Sequence, residues 1–147
     1  MTLLALRNAS DYTFLMKLWV SRLLIGIVFF FNVECAFAFI IRPDLYTWNF
    51  ELAGETGLGM IRGMGVLFLM WNVPYAVALW HPVRFRVSLY EAVSMQAIGV
   101  VGEILILWLL HGDHPAVRST LLRFIFFDFG GLLALLGAAW VTHWKRS

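Results

Sequence analysis

The sequence predicts an all-α integral membrane protein: a four-helix bundle with a short interfacial helix between the first and second spans. Of its 147 residues, 61% are hydrophobic and 14% are charged, whereas soluble domains average about 45–50% apolar and about 25% charged residues. Four apolar segments also reach the roughly 20 residues that a helix needs to cross a bilayer. We therefore expect one transmembrane domain, residues 1–147, with spans at about 18–41, 58–80, 87–110 and 121–144.

The composition also limits the partners. A formal charge of +2, with no basic run interleaved with aromatic residues, argues against nucleic acid. Cys35 is the single cysteine, so these residues form no internal disulfide and no CxxC motif. The charged leader before the first apolar run is too long for a secretory signal peptide, and we expect none to be cleaved. The partner that the composition predicts is the lipid bilayer.

The first elements are a surface segment and a span. Residues 1–17 mix leucine and aromatic side chains with charges, which is typical of a segment at the membrane surface. Its helix is expected to start near Ser10. The first span ends at Ile41 and is closed by Arg42 and Pro43, because proline disfavours helix at the residue before it.

The connections between the other spans are short or broken by proline. In residues 42–57, Leu45, Trp48 and Leu52 recur at helical spacing, which predicts the interfacial helix. A basic turn follows the second span near residues 81–86. Glycine and proline break the chain again between the third and fourth spans.

Every span carries polar side chains that hydrocarbon does not solvate. An ionisable side chain inside a membrane costs at least about 2.5–3.5 kcal/mol, so such groups normally face the bundle interior and pair. In chain order they are Arg22, Asn32 and Glu34 in span one, Arg62 and Asn72 in span two, Glu91, Gln96 and Glu103 in span three, and Arg123 and Asp128 in span four.

Three carboxylates and one arginine fall at matching depth in the outer half of the bundle. Glu34, Glu103 and Asp128 each lie roughly 10 Å from the outer end of a different span. Arg62 lies roughly 6 Å deep, and its side chain is long enough to reach the same layer. Because one arginine neutralises only one carboxylate, we expect this layer to hold a proton, a cation or water in an outward-facing cavity.

A second set of polar residues lies nearer the inner face. Arg22 and Glu91 are each roughly 6 Å from the inner ends of their spans, which predicts a structural ion pair. Asn72 and Gln96 approach similar depth between the two layers and extend a polar stripe through the bundle. The alternative is that all these contacts only fix the helix register.

The basic residues predict the orientation. The side of the termini carries Arg7, Lys17, Arg84, Arg86, Lys145 and Arg146, and the other side carries Arg42 and Arg118. Because Lys and Arg concentrate on the cytoplasmic side, we expect both termini in the cytoplasm and the protein in a bacterial inner membrane.

The loop before the fourth span holds a secondary candidate for a metal site. His111, Asp113 and His114 could bind a metal with Glu51 or Glu55, but a polar loop flanked by glycine and proline needs no metal to exist. No ExxH motif lies within a span, and GxSxG, Walker and dinucleotide motifs do not occur. The sequence therefore predicts no catalytic residue and leaves the cofactor unknown.

The segment RLLIGIVF, from Arg22, resembles the RxxxGxxF opening of the first helix in DoxX-like small membrane proteins. The glycine-rich start of span two, the proline and basic turn after it, the short chain and the four spans are also similar. Relatives include small subunits of quinone-linked sulfur oxidation complexes, so the resemblance implies an accessory subunit. Only Arg22 and Gly26 carry over, as structural positions, whereas Asn32, Glu34 and the WNVPY segment depart from the pattern.

These observations predict a small accessory or ligand-binding membrane subunit. The ligand would be a quinone or a lipid headgroup held against Arg62 and the carboxylates, in a homo-oligomer or beside other membrane subunits. The principal alternative is a proton- or cation-coupled transporter or channel in which Glu34, Glu103 and Asp128 exchange protons. A membrane enzyme ranks third, because no nucleophile or metal set is recognisable.

Overall fold

A computed structural model describes the backbone of residues 2–143 and the side chains of residues 12–143. The four helices are α1 (Thr2–Ile41), α2 (Gly54–Trp80), α3 (Arg86–Leu109) and α4 (Pro115–His143). Each contains a segment long and apolar enough to cross a membrane. The predicted all-α, four-span membrane fold is confirmed.

The helices pack in a closed ring. Each helix contacts the next along the chain, and α4 returns to contact α1. The short connections at residues 81–85 and 110–114 make the helices they join antiparallel. The first two helices are also antiparallel, since Arg22 near the start of the first span reaches Leu79 at the end of α2, while Gly65 lies against Phe39. As a result α1 and α3 lie across the bundle from each other.

Three helix starts differ from the prediction. The helix of the first span begins at Thr2, before the predicted start near Ser10, and continues into the span, since no proline or glycine interrupts the chain before Gly26. The second helix begins at Gly54, one turn early. The fourth begins at Pro115. Proline is favoured in the first turn of a helix, because backbone N–H groups there have no hydrogen-bond acceptor within the helix. The predicted end of the last span, position 144, lies outside the described residues.

The connection between α1 and α2 contains two 3₁₀ helices, Pro43–Leu45 and Trp48–Phe50, instead of one interfacial α-helix. Glu51 ends the second one in the left-handed conformation, with φ 53°. Leu52 N then donates to Thr47 O at 3.0 Å and turns the chain toward α2. The predicted short helical connection is present, but it is more tightly wound than predicted.

The half of the bundle near the α2–α3 turn has a closed apolar core, and we call it the sealed half. Its core residues are at most 3% exposed: Ile25, Val28, Tyr75, Ala78, Leu89, Ala92, Leu135 and Ala138. The alanines let the helices approach closely, as small residues do in membrane bundles. Ser21 Oγ donates to Ala138 O at 3.3 Å and joins α1 to α4.

The opposite end of the bundle is closed by rings. Phe39 is 1% exposed. Its ring centroid lies 4.7–6.5 Å from those of Tyr46, Phe50, Phe68 and Phe124. These rings join α1, α2 and α4 to the connection between the first two helices. The end of the bundle opposite the sealed half is therefore closed by packed aromatic side chains.

The outward faces of the helices are apolar. Large side chains more than 60% exposed include Trp19, Phe30, Trp80, Trp108, Phe126 and Trp140. A protein in water rarely exposes so continuous an apolar surface. Lipid is the solvent that fits this exterior.

Candidate functional site

A cavity of about 530 Å³ lies between the four helices, in the half of the bundle away from the sealed core. We call this the hollow half. The cavity's polar lining residues are Asn32, Glu34, Asn72, Tyr75, Gln96, Glu103, Arg123 and Asp128. Its volume falls within the range of about 300–1,000 Å³ that is typical of ligand sites.

A chain of hydrogen bonds forms the floor of the cavity and joins three helices. Tyr75 Oη donates to Gln96 Oε1 at 2.6 Å. Gln96 Nε2 donates to Asp128 Oδ1 at 2.9 Å and to the backbone oxygen of the same residue at 3.3 Å. Tyr75 also belongs to the sealed core, so this chain marks the boundary between the two halves.

Two glycines make room for these side chains. A Cβ on Gly99 would lie 2.5 Å from Asp128 Oδ2, and a Cβ on Gly131 would lie 2.8 Å from Gln96 Nε2. Real Cβ atoms do not approach polar atoms so closely, so alanine at either position would displace the side chain it faces. The absence of a side chain at these two positions therefore leaves the space that the hydrogen-bonded Gln96–Asp128 pair occupies.

Two buried polar atoms of lining residues lack a hydrogen-bond partner in the described part of the chain. Asn72 is 4% exposed, and its Nδ2 donates to Phe68 O at 2.7 Å while its Oδ1 has no partner. Glu103 Oε2 is likewise buried and unpartnered. Buried polar groups are nearly always paired, so each unpaired one needs an explanation.

The walls above the floor are aromatic, and the cavity is not fully enclosed. Phe31 and Phe127 meet edge to face at 6.0 Å and bridge α1 to α4, while 48% and 37% exposed. On the α2–α3 side, Trp71, Ile98 and Ile106 line the cavity while 44%, 64% and 53% exposed. Residues that line the cavity therefore also reach the lipid-facing surface of the bundle.

The predicted layer of one arginine and three carboxylates is only partly formed. Glu34, Glu103 and Asp128 all line the cavity, but the arginine beside them is Arg123. Arg62 is exposed and has no hydrogen bond or ion pair with the described side chains. The predicted placement of Arg62 is wrong because depth does not fix direction.

Helix geometry explains that error. At about 100° per residue, ten residues carry Arg62 roughly 80° away from the direction of Asn72, which faces the cavity. Phe68 and Tyr75, four residues before and three after Asn72, share its direction and line the cavity. Two residues on different helices are therefore predicted to be in contact only if they lie at the same depth and their side chains also point toward each other.

The predicted Arg22–Glu91 ion pair is absent from the described side chains. Glu91 is exposed on α3, which lies across the bundle from α1, so the two side chains cannot meet. Arg22 Nε instead donates to Leu79 O at 3.1 Å, with the guanidinium 4.9 Å from the Trp19 ring. Asn72 and Gln96 both line the cavity, but neither hydrogen-bonds to the other.

The predicted metal candidates do not converge in the described residues. Groups of three His, Cys, Asp or Glu side chains suited to a metal are not found among them, so His111, Asp113 and His114 form no such cluster. His114 Nδ1 lies 2.6 Å from Glu51 Oε2 and ties the start of α4 to the connection after α1. This hydrogen bond lowers the pKa of Glu51.

The sequence reasoning missed some residues of the site. Tyr75, Asn32 and Cys35 line the cavity but were not predicted as site residues. Tyr75 lies one turn after Asn72, and Cys35 one turn after Asn32, so each pair shares a helix face. Plotting each span around its helix axis would have grouped them.

Comparisons of this chain with protein-family models, with curated proteins and with solved structures find no match. Its function is therefore inferred from its own residues and geometry.

Proposed function

We propose that this integral membrane protein binds a lipid-soluble ligand in the cavity of the hollow half, as a binding protein or accessory subunit. The observation that carries the proposal is the cavity itself, with aromatic walls, polar groups along its floor and lining residues that reach the lipid-facing surface. Ligand sites typically combine apolar walls with a few polar groups that orient the ligand. A quinone or a lipid headgroup has suitable amphiphilic character.

Transport, the alternative suggested by the sequence, has less support. Below the Tyr75–Gln96 bond, the interior of the sealed half is lined by Ile25, Val28, Leu89 and Leu135, all at most 3% exposed. A proton or cation pathway needs polar groups or water along its length. Among the described residues, the core next to the floor is apolar apart from Tyr75, and the buried Ser21 hydroxyl in this half donates to a backbone oxygen.

The orientation and the membrane are part of the same proposal. Basic residues concentrated on the side of the termini favour a cytoplasmic location for both ends, in a bacterial inner membrane. The cavity would then lie in the outer half of the bilayer. Ligand would enter from the outer leaflet.

Kinship with DoxX-like proteins also remains a proposal. Its two transferable positions have structural contacts here: Arg22 reaches Leu79 O, and a Cβ on Gly26 would lie 3.5 Å from Leu79 Cδ1. These contacts are compatible with the structural roles that the resemblance implies. They carry no information about the ligand.

Filling the cavity tests the proposal. A Cβ on Gly102 or on Gly130 meets nothing within 4 Å, but only Gly102 lines the cavity. We expect native mass spectrometry from mild detergent to detect a lipid-soluble ligand on the wild type and on Gly130→Leu, and none on Gly102→Leu. Bare protein in all three samples, or ligand retained by Gly102→Leu, would contradict ligand binding in this cavity.

A further inference from the structure

Three side chains along the cavity floor already donate hydrogen bonds to acceptors of the protein. Asn72 Nδ2 donates to a backbone carbonyl, Gln96 Nε2 donates to Asp128, and Tyr75 Oη donates to Gln96. The two buried atoms left without a partner in the described side chains are oxygens, Asn72 Oδ1 and Glu103 Oε2. Asn72 Oδ1 and, in its carboxylate form, Glu103 Oε2 both accept, so a ligand that pairs with them donates hydrogen bonds.

Carboxyl groups outnumber cations among the described lining residues. Glu34, Glu103 and Asp128 face the same cavity as a single guanidinium, that of Arg123. This guanidinium already donates to two oxygens of its own helix. A positively charged ligand would supply the missing counter-charge, which a carboxylate removed from water requires.

The aromatic lining of the cavity is suited to a ligand that combines a cationic group with a hydrocarbon chain. The aromatic lining residues are Phe31, Phe68, Trp71, Tyr75, Phe124 and Phe127. Ring faces attract ammonium groups, more strongly where water is excluded. The exposed side chains of Trp71, Ile98 and Ile106 also reach the lipid-facing surface, where a chain would extend into lipid.

We infer that the ligand is an amphiphile with a primary ammonium group, which donates hydrogen bonds to Asn72 and Glu103. This inference rests on the proposed function and selects one class among lipid-soluble ligands. An oxidised quinone fits less well, because its carbonyl oxygens accept hydrogen bonds and the unpartnered buried atoms are also acceptors.

Four probes with the same eight-carbon chain separate charge from hydrogen bonding. The full chain, in phosphatidylcholine nanodiscs, is titrated with octylammonium, octyltrimethylammonium, 1-octanol and octanoate by calorimetry. The rate of Cys35 alkylation by N-ethylmaleimide locates the bound probe, since Cys35 lines the cavity. We expect octylammonium to bind most tightly and to slow the alkylation. Equal or tighter binding of any of the other three would overturn the inference.

Variants locate the ammonium site. Glu103→Gln should weaken octylammonium binding by at least about tenfold, because hydrogen bonds to charged groups are the stronger ones. Asn72→Leu should weaken it by a smaller factor. Glu91→Gln, on the exposed face of the same helix, should leave it unchanged. Equal weakening by Glu103→Gln and Glu91→Gln would show a general surface-charge effect and overturn the site.

The two proposals fail separately. If no octyl probe protects Cys35 while Gly102→Leu still removes a co-purifying ligand, ligand binding stands and the ammonium inference falls. The source of the ammonium is resolved by adding phosphatidylethanolamine to the nanodiscs. Weaker apparent octylammonium binding in those discs identifies a lipid headgroup as the occupant, and unchanged binding identifies a free amine.

Discussion

The sealed and hollow halves are built from the same four helices, yet one is packed and the other encloses a cavity of about 530 Å³. In the sealed half the helices meet through alanines such as Ala78, Ala92 and Ala138, all 0% exposed. In the hollow half, Gly102 faces open space and polar side chains bind each other along the floor. The difference shows that the order of small and large side chains along the bundle axis helps to decide where this protein has room for a ligand.

The largest contrast should come from adding the same side chain to each half of α3. Ala92→Leu overpacks the sealed core and should destabilise the protein by about 1–3 kcal/mol or more. Gly102→Leu enters open space and should cost little or even stabilise, because leucine favours helix over glycine by up to about 1 kcal/mol. Unfolding in mixed detergent and SDS micelles measures both. Equal destabilisation would mean that the hollow half is packed.

The next contrast lies within the cavity lining. Gln96→Leu leaves Tyr75 and Asp128 without their shared partner and should cost on the order of 2 kcal/mol. Asn72→Leu removes one bond to the backbone of its own helix, together with an unpartnered oxygen, and should be close to neutral. The same unfolding titration compares them. If Asn72→Leu is the more damaging, the hydrogen-bond chain does not hold the floor together.

A smaller effect should separate the two arginines. Arg123→Leu removes the one cation among the described cavity residues and should cost up to about 1 kcal/mol, the scale of a partly exposed charge contact. Arg62→Leu removes an exposed charge and should be neutral or stabilising. Folded yield and the SDS midpoint report the difference. A larger loss of stability for Arg62→Leu than for Arg123→Leu would support the prediction from depth, in which Arg62 lies beside the carboxylates.

The smallest effect concerns the surface contact between Glu51 and His114. Their hydrogen bond lowers the pKa of Glu51 below its ordinary value of 4.5. The contact therefore adds stability above pH 4.5 and loses it as the pH falls through the lower folded value. The stability difference between wild type and Glu51→Gln should shrink with acidification, measured by unfolding at several pH values. Asp113→Asn removes the same charge from the neighbouring loop and serves as the control.

The fold was predictable from local features of the chain. Apolar length set the four spans, and the proline at position 43 set the end of the first, whereas the start of the fourth helix at Pro115 was predicted at residue 121. Depth along the spans also identified Glu103, Asp128, Gln96 and Asn72, all of which line the cavity. Span boundaries and the depth of a residue depend only on its position along one helix, which can be counted from the sequence.

The pairings were not predictable in the same way. Arg22 was paired with Glu91 because their depths match, but whether α1 and α3 are neighbours depends on the ring order of the helices. Likewise, depth alone predicts Arg62 in the carboxylate layer, because it takes no account of direction around the helix. The contacts of the site arise from tertiary packing, which depth within each span does not specify.

Cysteine accessibility tests the difference between the halves most directly. Cys35 lines the cavity, and Ala138 is 0% exposed in the sealed core. The wild type is compared with Ala138→Cys in a Cys35→Ala background, both treated with N-ethylmaleimide in the folded state. We expect Cys35 to be alkylated while the thiol introduced by Ala138→Cys reacts only after unfolding. Equal rates of alkylation would contradict the division into a sealed and a hollow half.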